Sequence, residues 1–402
     1  MIIKENSFVY ILFAIVVVLA INNASKDSFS LVAGKEDHGP FVGTNLRGYN
    51  TSMAQQRDSS LHYPYDYYDK SFKLMSENGF DHIRYVFYWE SYVKNPEAFI
   101  AELKTVAETA DRWGIKVLYD NHQFQTSSWL NPVSGTGFPE TFFVNDNRYP
   151  YGGGGQSSYT PAKEWWTDWW DRKVLDVNGN ESWTVLAIFL KKIVSTVDAY
   201  NSTLGYEILN EPQIHSPDHW EKIGKFNTFM ADELRKKTEK KIFFTNPIPI
   251  KVNGGLLEAK PENIAKLFPD NKTNVILKIS VYGMPDVVPY QKEKLDRFKQ
   301  VSEVLGIPLY IGEWGNVKRV PTQNEEGSTY YKISPEASDI TQGEANTLVK
   351  KFKEIGVWGM AYWKWDMKEH KTKNFNLIDI EEGGIKPTKY NKIVKDAYKL
   401  VK

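Results

Sequence analysis

From about residue 41 onward, short runs rich in β-branched and aromatic residues alternate with longer stretches in which apolar residues recur every three to four positions. The short runs predict strands over Gly43–Leu46, His82–Phe87, Ile115–Asp120, Leu204–Leu209, Lys241–Asn246, Val275–Val281, Pro308–Gly312 and Val357–Trp363. The longer stretches predict helices over Asp66–Asn78, Pro96–Trp113, Ser182–Tyr200, His219–Thr238, Glu262–Leu267, Gln291–Leu305, Thr341–Ile355 and Thr388–Val401. Boundary residues support several of these elements. Pro96 follows Asn95 at a helix start, Gly79 and Gly114 follow helix ends, and Thr341 with Glu344 makes a capping box. Strand–helix units repeated in this way, with right-handed crossovers, close most simply into an α/β barrel of the (β/α)8 TIM type; an open doubly wound sheet is the alternative. No Gly-x-Gly-x-x-Gly follows the first strand, and the run Gly152–Gly155 lacks the Lys-Ser/Thr pair of a phosphate loop, so no cofactor is expected.

Two connections exceed the ~2 to 6 residues usual in such folds. They run from about Gln123 to Glu181, after strand three, and from about Trp314 to Asp339, after strand seven. Both leave the carboxyl ends of strands, the face where barrels place their active sites. The first is crowded with aromatic residues, among them Trp129, Trp165, Trp166, Trp169 and Trp170. Some must form a small core of the insertion. The i, i+1, i+4, i+5 spacing of the last four would gather them on one broad helical face, which makes these five the candidate distal platforms for stacking sugar rings.

At the amino end, Phe8–Ile21 is an unbroken apolar run of 14 residues, preceded by Lys4 and followed by Asn22, Asn23, Ala24 and Ser25. As a helix it would span about 21 Å against a hydrocarbon core of ~30 Å, the proportions of a signal peptide. Residues 1–24 are therefore read as a signal peptide or uncleaved N-terminal anchor, 25–40 as a short leader and 41–402 as one domain, giving a secreted or cell-surface anchored chain. Glycosylation sequons beginning at Asn50, Asn180, Asn201 and Asn271 fit export.

The 402 residues carry 50 Lys plus Arg against 50 Asp plus Glu, so no net field draws the chain to nucleic acid or anionic lipid. Cysteine is absent, which removes disulfides, thiol nucleophiles and thiolate metal sites. With 13 Trp and 23 Tyr, the natural partner is neutral and offers flat apolar faces. A monomer is expected.

The strongest chemical signal is a pair of carboxylates at strand ends, in Asn210-Glu211-Pro212 after strand four and Gly312-Glu313-Trp314-Gly315 at strand seven. Either alone could be a buried salt bridge. Two at one barrel rim are what glycoside hydrolysis requires, an acid for the leaving oxygen and a base or nucleophile opposite it. Arg84, His122, Tyr282 and Trp363 fall at the ends of other strands and complete a supporting set with Asn210. His215 and His219 lack the Glu of a His-Glu-x-x-His site, so no metal is expected.

On these motifs, with Trp89-Glu90 downstream of Arg84, the chain resembles glycoside hydrolase family 5, the retaining β-glycanases of cellulase and mannanase type, over residues 41–398. The resemblance implies Glu211 as acid/base, Glu313 as nucleophile, Asn210 as partner of the sugar 2-hydroxyl and Trp363 as stacking platform. It also implies endo-cleavage of a neutral β-glucan or β-mannan. The family's usual His-x-Tyr after strand six reads Ser280-Val281-Tyr282 here. A non-catalytic polysaccharide-binding protein and a transglycosylase on the same scaffold are the competing readings.

Overall fold

The computed structural model describes residues 40–52, 65–249, 258–285, 289–315, 319–323, 329–333, 340–366, 376–381 and 384–402. The expected signal peptide or anchor, and the leader up to residue 39, lie outside the described residues. Strands β1 (Phe41–Arg47), β2 (His82–Phe87), β3 (Lys116–Asn121), β4 (Thr203–Glu207), β5 (Lys241–Thr245), β6 (Val275–Tyr282), β7 (Leu309–Gly315) and β10 (Gly359–Tyr362) close into a parallel barrel in the order β1-β10-β7-β6-β5-β4-β3-β2. This is the (β/α)8 barrel expected from the alternating pattern. Between them run α1 (Tyr65–Glu77), α2 (Trp89–Lys94), α3 (Pro96–Trp113), α4 (Thr160–Trp170), α5 (Ser182–Val197), α6 (His219–Arg235), α7 (Pro261–Ala265), α8 (Pro289–Leu305) and α9 (Gln342–Glu354), with α10 (Lys389–Tyr398) last.

The helix ends follow from local chemistry. The Asn95 side chain accepts from Ala98 N–H at the start of α3, Gly114 ends it at φ 67°, and Thr341 and Glu344 cap α9 reciprocally. Two short hairpins escaped the sequence reading. β8 (Arg319–Gln323) pairs with β9 (Thr329–Ile333) in the long connection after β7, and β11 (Ile378–Glu381) pairs with β12 (Gly384–Pro387) before α10.

Barrel strands bury two faces. Residues such as Val42, Ile83, Val117, Leu277, Leu309 and Ile311 pack outward against the helices, while Leu118, Phe243, Ile276, Tyr310 and Ala361 fill the inside. β7 breaks this alternation. Against β6 its register runs from Ile279↔Ile311 to Ser280↔Glu313, and against β10 from Met360↔Ile311 to Tyr362↔Trp314, so β7 carries one extra residue relative to both neighbours. Strict alternation from Leu309 and Ile311 would send residue 313 toward the helices. The bulge instead turns Glu313 into the barrel and Trp314 outward, where its indole donates to Tyr398 Oη at 3.0 Å.

The insertion after β3 folds around α4. Trp165, Trp166, Trp169 and Trp170 are each at most 2% exposed. Phe138 meets Trp165 and Trp169 edge-on at 4.7 and 4.8 Å, and Phe143 stacks on Trp165 at 5.1 Å. The expectation that these four are sugar platforms is therefore corrected: a ring with no accessible face cannot stack on a sugar, and their broad helical face is the insertion's own core. Of the five candidates only Trp129 stays partly accessible, its indole bonded to Tyr149 O at 2.9 Å. Replacing Trp169 by Ala should cost ~3 to 5 kcal/mol of stability by cavity formation, measured by denaturant unfolding; a loss below about 1 kcal/mol would contradict this packing.

Candidate active site

Arg84 lies in the middle of β2 and not at its end as expected, and inward alternation places its guanidinium at the centre of the barrel with none of its side chain exposed. Such a charge is tolerable only when fully partnered. Nε and Nη2 make a bidentate pair with Glu207 at 2.6 and 2.8 Å, and Nη1 reaches Asn45 Oδ1 at 2.9 Å and Glu313 Oε1 at 3.0 Å. Nη2 also lies 2.9 Å from Asn210 Oδ1 and 2.9 Å from Asp120 Oδ2.

A second buried cation completes the centre. Lys278 Nζ donates to Asn210 Oδ1 at 2.6 Å, Ser280 Oγ at 3.1 Å and Glu313 Oε1 at 3.2 Å. Its stem runs across Gly312, where a Cβ would fall 2.6 Å from Lys278 Cγ, so the bulge position must be glycine for the lysine to extend. Here Ser280, found in place of the family's usual histidine, is a ligand of that ammonium.

Glu313 collects these groups. Oε1 faces Arg84 and Lys278, and Oε2 accepts from Tyr282 Oη at 2.6 Å. Burial alone would raise its pKa, but Lys278 and then Arg84 overcome burial and hold the carboxyl well below the usual range. Burial, followed by the Glu313 charge, pushes the Tyr282 phenol well up, so it remains a donor. Burial also lifts Asp120 to about 7 despite Arg84 and Lys278, and lowers His122 to about 3. A neutral His122 with Nδ1 2.8 Å from Asp120 Oδ2 carries its proton there, leaving Nε2 toward the Asn210 amide at 3.4 Å.

Asn210 and Glu211 follow β4. The Asn210 carbonyl oxygen of the side chain faces both cations, which fixes the amide orientation. Glu211 has φ 40°, a left-handed conformation rare outside glycine, and its carbonyl accepts from Gln123 Nε2 at 2.6 Å. Trp363 is half-buried with its indole stacked against the His122 ring at 5.8 Å and 19°. The structure thus joins Arg84, His122, Asn210, Tyr282 and Glu313 in one bonded set, with Glu211 and Trp363 beside it, while the tryptophans of the insertion lie outside it. Asn45, Asp120, Glu207 and Lys278 were missed. Their signal was available: Glu207 and Lys278 interrupt otherwise apolar strand runs, and a charge on a buried strand needs a partner.

Two glutamates at one barrel end, one anchored by two cations, form the kind of arrangement that glycoside hydrolysis requires. A family model described as Cellulase (glycosyl hydrolase family 5) matches residues 35–369. The chain belongs to glycosyl hydrolase family 5 and is an O-glycosyl hydrolase. Endo-glycoceramidase II from Rhodococcus sp. is similar in structure, with a TM-score of 0.60 and 14% identity over 89% of this chain and 78% of that one. An endogalactoceramidase gives 0.62 and 16% over 89% and 80%. The endo-β-1,4-glucanase of Xanthomonas axonopodis pv. citri gives 0.58 and 13% over 90% and 100%. No curated protein matches the sequence. Among the described residues no group of three or more His, Asp or Glu side chains could hold a metal ion.

Because Lys278 is the foremost charge holding Glu313 down, Lys278→Met should raise the Glu313 titration by about one pH unit or more. Carbon-13 titration of labelled glutamate carboxyls, assigned with Glu313→Gln, measures it. An unmoved titration would show that the ammonium does not set this charge.

Proposed function

We propose that the protein is a retaining β-glycanase that cleaves internal bonds of a neutral β-linked polysaccharide, β-1,4-glucan or β-mannan, with Glu313 as nucleophile and Glu211 as acid/base. The observation that carries this reading is the asymmetry of the two carboxyls. Glu313 is locked ionised between Arg84, Lys278 and Tyr282, whereas among the described residues no hydrogen bond or ion pair holds the Glu211 carboxyl. Glu313 attacks the anomeric carbon as Glu211 protonates the leaving oxygen; Glu211 then takes a proton from water, which releases the sugar with retained configuration. The Tyr282 hydroxyl and the two cations keep the negative charge on Glu313 until it is spent in the bond. Asn210 serves the sugar 2-hydroxyl and Trp363 the face of the reacting ring.

Sugar stacking beyond the reacting ring falls to accessible aromatic groups of the same insertion: Trp129 and the exposed Phe124, Tyr151 and Tyr159. Export through the N-terminal apolar segment belongs to the same reading, since a polymer substrate lies outside the cell; amino-terminal sequencing of protein recovered from the medium tests it.

Glu313→Ala and Glu211→Ala should each lower turnover by at least ~10² to 10⁴-fold; melting temperature should change little in Glu211→Ala and fall in Glu313→Ala, which strips a buried partner from Arg84 and Lys278. Azide should rescue Glu211→Ala on an activated glycoside with retention, and Glu313→Ala with inversion. Near-normal activity of either variant refutes the roles. Product release from carboxymethylcellulose, mannan, xyloglucan, laminarin and a glycosphingolipid assigns the substrate. The last is included because similar structures are of ceramide-glycoside hydrolases, and cleavage of the lipid alone would replace the polysaccharide reading.

A further inference from the structure

The tryptophans of α4 form two i, i+4 pairs that differ in their polar atoms. Trp165 and Trp169 stack at 5.2 Å, and their indole N–H groups are buried with no hydrogen-bond partner among the described residues. Trp166 and Trp170 both donate. Trp166 Nε1 bonds Thr126 Oγ1 at 2.9 Å and Trp170 Nε1 bonds the Gln213 carbonyl at 2.8 Å.

Both acceptors are linked to the Glu211 turn. Gln213 lies two residues beyond Glu211, and its side-chain amide donates to Thr126 Oγ1 at 3.1 Å and Gly155 O at 2.8 Å. Thr126 N–H donates to Gln123 Oε1 at 2.9 Å, and Gln123 Nε2 donates in turn to the carbonyls of Asn210 at 2.9 Å and Glu211 at 2.6 Å. Gln123, Thr126 and Gln213 are all at most 2% exposed, so each bond is made away from water. The backbone along this ladder is left-handed at three non-glycine residues, Gln125 at φ 55°, Thr126 at 71° and Glu211 at 40°. Such conformations cost on the order of 1–3 kcal/mol each and persist only where surrounding contacts over-determine them.

We propose that Trp166 and Trp170, acting with Gln123, Thr126 and Gln213, are positioning residues that hold the Glu211 backbone in its left-handed conformation and so aim its carboxyl at the leaving oxygen. This rests on Glu211 being the acid/base. The insertion then contributes to the chemistry through the loop it braces, and its four buried tryptophans divide into two that pack and two that pack and aim.

Each tryptophan is changed in turn to Phe, which keeps an aromatic ring and removes the N–H. kcat/KM is measured on the phenyl and 2,4-dinitrophenyl β-glycosides of cellobiose, or of mannobiose should mannan prove the substrate. Phenol needs a proton to leave and dinitrophenol does not. Trp166→Phe and Trp170→Phe should lose about tenfold or more on the phenyl glycoside and stay within about threefold on the dinitrophenyl one. Gln123→Met should do the same. Trp165→Phe and Trp169→Phe should leave the ratio of the two substrates unchanged, even where melting temperature falls equally in all four. Glu211→Gln sets the limit of the effect. If it shows no dependence on the leaving group, Glu211 is not the acid and that reading fails. If it does, and the two tryptophan pairs give the same ratio, the positioning proposal is overturned while the acid/base assignment stands.

Discussion

The buried guanidinium of Arg84 is the constraint around which the active centre is organised. Groups from β1, β3, β4 and β7 and from the turn after β4 converge on it: Asn45, Asp120, Glu207, Glu313 and Asn210. At a surface such pairs contribute little, because water competes and long side chains lose entropy in forming them. Inside the barrel, removing one partner leaves an uncompensated charge at a cost of ~3 to 5 kcal/mol, so the set is interdependent. Lys278 shares the same carboxylates. Two cations opposite Glu207 and Glu313, with Asp120 raised to about 7 by burial, keep the centre near neutrality while leaving the Glu313 carboxyl ionised. Reactivity and structural tolerance therefore have one electrostatic source.

Both rim glutamates sit where regular backbone fails. Glu313 faces inward only because β7 carries an extra residue at Gly312, and that glycine also clears the path for the Lys278 stem. Glu211 adopts a left-handed conformation in the turn after β4. Irregularities of this kind re-aim side chains that a repeating strand would point elsewhere, and they persist only under external support. For Glu313 the support is ionic, and for Glu211 it is a buried network of amide, hydroxyl and indole groups.

The aromatic wealth of the chain divides between these tasks. Much of it forms the continuous packing in which Phe138, Trp165, Trp169 and Phe226 meet ring against ring, joining the insertion to α6. Glu90, buried just after β2, accepts from Gly137 N–H at 3.1 Å and from Ser128 Oγ, which ties the insertion to the barrel near Arg84 as well. The long connection is thus fastened at both α6 and the end of β2.

Hydrophobic periodicity determined the alternation of strands and helices, for which a barrel was the simplest closure, because a strand buried on both faces and a helix with one apolar face leave distinct patterns in the chain. The strand-end glutamates with Asn210 and Tyr282 were legible for a related reason: a polar residue ending an apolar run stands out, as does a charge such as Arg84 within one. What the sequence could not carry was pairing across the barrel. Glu207 and Lys278 were visible as charges yet had no readable partners, since Lys278 meets Asn210 and Glu313 across separations of 68 and 35 residues. The four tryptophans of α4 were read as a platform because spacing tells which residues share a helical face, not whether that face meets solvent or another aromatic layer. Register, burial and the direction of a bulged strand are properties of elements brought together, and only the tertiary structure decided them.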